Sequence, residues 1–171
     1  MIYIVFYIFF LISLYLSKFY NVGIIPQLIL LSPLLFKKDK ELGFKNYRKG
    51  FIYGFFFLPL ALPYLFTAKC YAFILNQLGI AFAEEIFFRG FLMQRFSNLV
   101  VAFMFSLGHI IYWFNMNSFL TFFPSLIFGW LYIKTGSIVA PVMAHFSMNL
   151  FLFFITEKYP QILDILMKSL I

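Results

Sequence analysis

A chain of 171 residues in which 64% are hydrophobic and only 11% charged, with a mean hydropathy of +0.95, is not an ordinary soluble domain, where about a quarter of residues carry charge. The formal charge of +7 does not point to nucleic acid, because six of the thirteen Lys and Arg (Lys37, Lys38, Lys40, Lys45, Arg48, Lys49) share one short loop, the pattern of an anchor facing anionic lipid. One cysteine, Cys70, excludes an intramolecular disulfide and a metal site built on several thiolates.

An apolar run of about 20 residues crosses a bilayer as a helix. Charge, Gly and Pro divide this chain into about seven apolar segments, 1–17, 22–36, 51–66, 71–94, 98–114, 119–133 and 138–155. The expected fold is therefore all-α, a polytopic membrane bundle forming one integral domain over residues 1–171. The first segment has no basic leader and no small-x-small cleavage site after it, so it is expected to be a retained helix. The second is short and carries Pro26 and Pro33, which predicts a kinked, re-entrant or half-spanning piece. The loop that follows, 37–49, is assigned to the cytoplasm by its cations. Alternation then puts Arg95 and Lys134 on that side, and Lys18, Lys69 and Lys158 on the other. Residues 1–66 form an N-terminal group of helices and 71–155 a core. In the tail, 160–171, Ile162, Ile165, Leu166 and Leu170 recur at helical spacing and are expected to lie along the outer interface.

Four of the six acids lie in the basic loop or the tail. The other two, Glu84 and Glu85, are adjacent inside the fourth segment, and both histidines, His109 and His145, also lie in apolar segments. An ionisable side chain at that depth costs roughly 2.5 to 3.5 kcal/mol on insertion scales, so it needs a reason. Counted from the cytoplasmic ends, Glu84 is eleven residues from Arg95, His109 eleven from Asn98 and His145 nine from Gly136. At 1.5 Å per residue these depths are roughly 16, 16 and 13 Å, so three helices carry titratable groups in one layer. Glu85 and Arg89 stand at i,i+4 in the favourable order for an ion pair, and the same spacing points His145 and Asn149 into one cavity. Small residues beside them (Gly79, Ala83, Gly108, Ala140, Ala144) are expected to let these helices approach closely.

The set Glu84-Glu85-x-x-x-Arg89, Phe105-x-x-x-His109 and His145-x-x-x-Asn149, in that order over roughly residues 70–155, resembles the three-motif pattern of the type II CAAX prenyl protease and bacteriocin-processing (CPBP, or Abi) family, and is most similar to its small bacterial members. The resemblance implies glutamate-dependent intramembrane proteolysis of a membrane-embedded or membrane-associated protein or peptide. Glu84 and His109 would activate water, His145 and Asn149 would stabilise the oxyanion, and Glu85 and Arg89 would be architectural.

The residue chemistry is consistent with those roles. Desolvation makes an ionised carboxylate a stronger base, which suits Glu84 as base and proton shuttle. An imidazole can hold the same water, the role expected of His109. Preorganised donors must meet the oxyanion, and His145 and the Asn149 amide are available. No cofactor is expected. The alternative is zinc on Glu84, His109 and His145, although the chain lacks H-E-x-x-H and has few ligands to offer. Two other functions remain open: a proton-coupled carrier using Glu84, Glu85 and the histidines as a relay, and a non-catalytic bacteriocin-immunity protein on the same scaffold.

Overall fold

A computed structural model describes residues 1–20, 22–67 and 71–161. Among these every regular element is helical and none is a strand, as a chain surrounded by hydrocarbon requires, since a helix satisfies its own backbone groups. Nine α-helices follow in order: α1 (Ile2–Ser17), α2 (Ile24–Leu31), α3 (Tyr47–Phe55), α4 (Leu58–Thr67), α5 (Tyr71–Glu85), α6 (Asn98–Trp113), α7 (Met116–Leu120), α8 (Phe122–Thr135) and α9 (Val139–Lys158). The interfacial helix expected in the tail falls on residues 162–171, outside the described residues.

Each of the seven apolar segments contains helix, but only three helical stretches have the length and apolarity of a membrane span: Tyr71–Gln94, Met116–Thr135 and Val139–Lys158. The bent pair α3–α4 makes a fourth if it is one span, against the expected count of about seven. The remaining three, Ile2–Ser17, Ile24–Leu35 and Asn98–Trp113, are shorter apolar helices. At 16 residues α1 and α6 reach only about 24 Å, less than the ~30 Å hydrocarbon core.

Prolines account for the two irregular pieces. In the second segment α2 ends in a 3-10 turn, Ser32–Leu35. Pro33 has no N–H for the Ile29 carbonyl, and the Ser32 hydroxyl donates to that oxygen instead at 2.6 Å. In the third, helix begins at Tyr47 instead of Phe51 and bends by 65° between α3 and α4. Pro59 lies just past this break, where its missing N–H would have bonded back into the last turn of α3.

The centre of the bundle is the stretch from α5 into Ile86–Phe91, which is a π-helix, closed by a 3-10 turn at Leu92–Gln94. All six π-helical residues are buried. Tyr3, Phe6 and Phe10 of α1 stack against Phe87, Phe88 and Phe91 there, so the N-terminal helix is part of the core. On the other flank α3 lies against α9, with Gly50 facing Ser137 and Gly54 facing Met143 so closely that a Cβ would sit 2.5 and 2.8 Å from them. This small-x-x-x-small contact joins helix pairs in membranes. The expected close approach at Gly79 is not found: it is exposed and has no neighbour within 4 Å of a Cβ. Gly108 does meet Phe10 and Leu14 of α1, while Ala140 and Ala144 are fully buried.

The basic loop is tied to one end of the bundle. Gln94 Nε2 donates to the Glu41 carbonyl at 3.2 Å, Asn46 Nδ2 to the Thr135 carbonyl at 3.2 Å, and the Ile138 N–H to the Gly43 carbonyl at 2.9 Å. Residues 37–49 therefore share an end with Arg95 and Lys134, as the alternation of helices requires. Gly43 is obligatory in this contact, because its φ of +90° and the Tyr132 ring beside it leave no room for a side chain.

Candidate functional site

Three helices bring the polar residues together. α5 carries Glu84 and Glu85, the π-helix carries Arg89, α6 carries His109, and α9 carries His145 and Asn149. Glu84, His109, His145 and Asn149 all line one cavity of about 420 Å³, with Gln77, Phe88 and Phe105 among the other walls. Glu85 and Arg89 do not line it; both are fully buried behind it.

Their pairing is built in two steps. Arg89 Nε is 3.0 Å from Glu85 Oε2, close enough for a strong charge contact although the N–H does not point along the line to the oxygen. Arg89 Nη2 donates to the Ser125 hydroxyl at 3.1 Å, and the guanidinium lies 5.2 to 5.9 Å from the rings of Phe88, Phe105 and Phe128. A buried cation is tolerable on such terms, with a counter-ion, a hydroxyl acceptor and ring faces around it. The other oxygen, Glu85 Oε1, lies 2.9 Å from His145 Nδ1. An ionised carboxylate can only accept, so Nδ1 carries the proton. The opposite nitrogen, Nε2, faces Glu84 Oε2 at 3.5 Å.

His145 thus lies between two carboxylates. Stacking with Phe128 at 4.7 Å and an edge contact with Phe105 at 5.7 Å hold its ring. His109 is oriented from its own helix: Nδ1 lies 3.1 Å from the Phe105 carbonyl, which again must be an accepted N–H. In the neutral imidazole this leaves Nε2 as a free acceptor on a ring that lines the cavity. Asn149 donates from Nδ2 to Gln77 Oε1 at 3.3 Å.

The expected i,i+4 pair of Glu85 and Arg89 is present, and the four residues expected at the site share one cavity. Sequence reasoning missed the reach of His145 to both glutamates, and with it the direct link from Glu85 to the site. It also missed Gln77, Ser125 and the wall supplied by α1 and α2, where Phe10, Leu14, Ser17, Pro26, Gln27 and Leu30 close one side. Gln77 had a signal, being seven residues before Glu84 on the same helical face. Ser125 had none. Among the described residues no group of three His, Cys, Asp or Glu side chains is disposed to hold a metal ion.

The model of the type II CAAX prenyl endopeptidase Rce1-like family matches residues 66–151, half of the chain and the part that contains all six polar residues. The chain belongs to this family. It is thus an Rce1-like member of an endopeptidase family, and its apolar helices make it a multi-pass membrane protein. No curated protein and no solved structure matches it.

Proposed function

We propose that this Rce1-like protein is an intramembrane endopeptidase that cleaves a peptide bond near the C-terminus of a membrane-associated protein or peptide, using water activated by Glu84. The observation that carries the reading is the shared cavity of Glu84, His109, His145 and Asn149. Water is held between the Glu84 carboxylate and His109 Nε2. Glu84 removes a proton as the water oxygen bonds to the scissile carbonyl carbon. Negative charge moves to the carbonyl oxygen, where His145 Nε2–H and the Asn149 amide meet it. This role requires a proton on Nε2 as well as on Nδ1, on an imidazole flanked by the carboxylates of Glu84 and Glu85. As the C–N bond breaks, Glu84 returns its proton to the leaving amine, and base and acid are both regenerated.

No metal enters this scheme, and none of its steps needs one. The chain is expected in the cell membrane with the basic loop on the cytoplasmic side, which puts the polar layer roughly 16 Å beneath that face. Ser17, Gly23 and Trp113, at the far rim of the cavity, then lie toward the opposite side. The lipid bilayer and the substrate are the partners proposed; nucleic acid is not one.

The test is Glu84→Gln, followed through cleavage of a co-expressed protein bearing a CAAX tail, with membrane insertion checked in parallel. Lost cleavage with normal insertion is expected. Retained cleavage sinks the proposal, and if ion flux is lost instead, the carrier replaces it. Activity that survives chelation of the purified protein is the result expected of a metal-free site.

A further inference from the structure

Gln77 lies on α5 two turns before Glu84, so both side chains leave the same face. It is buried, at 6% exposure, and lines the same cavity. Its Oε1 accepts from Asn149 Nδ2 at 3.3 Å, and neither carboxamide makes another side-chain hydrogen bond among the described residues.

The terminal torsion of an asparagine is broad and roughly two-fold, so an unrestrained amide presents either its oxygen or its NH₂ to a given point. At a developing oxyanion these are opposite in effect: an N–H stabilises it and a carbonyl oxygen repels it. Burial favours the orientation in which the polar atoms are paired, because an unpaired polar group out of water costs about 1–3 kcal/mol. With Gln77 presenting its oxygen, as it does here, the paired orientation of Asn149 is the one whose nitrogen points toward α5. One N–H is held by Gln77, and the planar nitrogen leaves the other about 120° away, free for the cavity.

We propose that Gln77 is a positioning residue of the proposed active site, holding Asn149 as an N–H donor toward the reacting carbonyl. This rests on the protease reading above. It gives Gln77 a function through Asn149 that plain helix packing would not.

The test measures kcat and KM of the purified, detergent-solubilised protein on an internally quenched, farnesylated CAAX peptide. Variants are Gln77→Met, Gln77→Glu, Asn149→Ala, the Gln77→Met/Asn149→Ala double, and Glu84→Gln. Gln77→Met should lower kcat about 10- to 100-fold, the usual range for a supporting partner, with KM within about twofold. The double variant should be no slower than Asn149→Ala alone, since both changes remove one device. Gln77→Glu, which keeps an acceptor in either protonation state, should recover most of the rate. Unchanged kcat in Gln77→Met, or losses that multiply in the double variant, overturns the proposal. Should Gln77→Met fail to insert stably, Gln77→Glu decides alone: a loss beyond about tenfold contradicts the acceptor role. Cleavage that persists in Glu84→Gln removes the protease reading itself. Lost cleavage there beside normal Gln77→Met kinetics removes only Gln77.

Discussion

His145 Nδ1 lies 2.9 Å from Glu85 Oε1, with both side chains buried, so the carboxylate that pairs with Arg89 also fixes the proton on a cavity-lining imidazole. Buried carboxylates behind an imidazole set its tautomer and stabilise its charged form. Glu85→Gln keeps the shape but removes the charge. The amide can still accept from Nδ1–H, yet Arg89 loses its counter-ion. We expect kcat to fall about 10- to 100-fold, and stability to fall by roughly 3–5 kcal/mol, the usual cost of breaking one side of a buried pair. Peptide cleavage and thermal unfolding in the same detergent check both. A variant as stable as the parent would argue against the charge pairing, and unchanged kcat against the link to His145.

Arg89 tests a different element of the same chain of contacts. Its planar guanidinium is sandwiched among Phe88, Phe105 and Phe128 while reaching Glu85 and Ser125. A lysine would keep the charge but neither the flat stacking surface nor the forked donors. Arg89→Lys is therefore expected to be destabilised by about 1–3 kcal/mol and to lose activity along with folded protein. Unaltered melting of Arg89→Lys would show that charge alone suffices there.

The roles proposed for Asn149 and His109 are each open to a kinetic test. Asn149→Ala should lower kcat about 100-fold or more with little change in KM, as loss of a donor made useful only in the transition state requires. His109→Ala should also lower kcat. Phe105 lies 4.5 Å from the His109 ring and 5.7 Å from the His145 ring, so the two imidazoles share a wall and the loss should reach His145. A nitrogen NMR shift of His145 that moves in His109→Ala checks this coupling; an identical shift means that Phe105 keeps its place without His109.

Helical periodicity made part of this site readable from the chain alone. The pairs Glu85/Arg89 and His145/Asn149 follow from i,i+4 spacing, and the common depth of Glu84, His109 and His145 follows from the 1.5 Å rise. What periodicity does not give is the rotation of each helix about its axis or the partner it faces. Glu84 and Glu85 leave an ideal helix about 100° apart, yet His145 enters between them and meets both. The π-helix that begins immediately after Glu85 has no sequence signal of its own, although such bulges recur at functional sites. The walls from α1 and α2 were equally hidden, since Phe10, Leu14 and Pro26 read as ordinary apolar residues. The count of about seven spans is not confirmed for a simpler reason: apolar composition marks a segment without measuring its length, and Asn98–Trp113 is apolar but short.

Two glycines on the central helix make a paired test of the packing that holds this layer. Gly90, inside the π-helix, faces the loop backbone: a Cβ there would sit 2.8 Å from the Leu42 carbonyl oxygen and 3.2 Å from its Cα. Backbone cannot rotate out of the way as a side chain can, so Gly90→Ala must push the basic loop off the π-helix, at an expected cost of about 1–3 kcal/mol. Gly79, eleven residues earlier on α5, meets nothing within 4 Å, and alanine there should be neutral or stabilise by up to about 1 kcal/mol through helix propensity. Thermal unfolding of the two variants in one detergent gives the comparison. Because Arg89 and Glu85 lie within five residues of Gly90, Gly90→Ala should also lower the cleavage rate, while Gly79→Ala leaves it unchanged. Equal melting temperatures for the two variants would mean that the loop at 37–49 does not brace the π-helix.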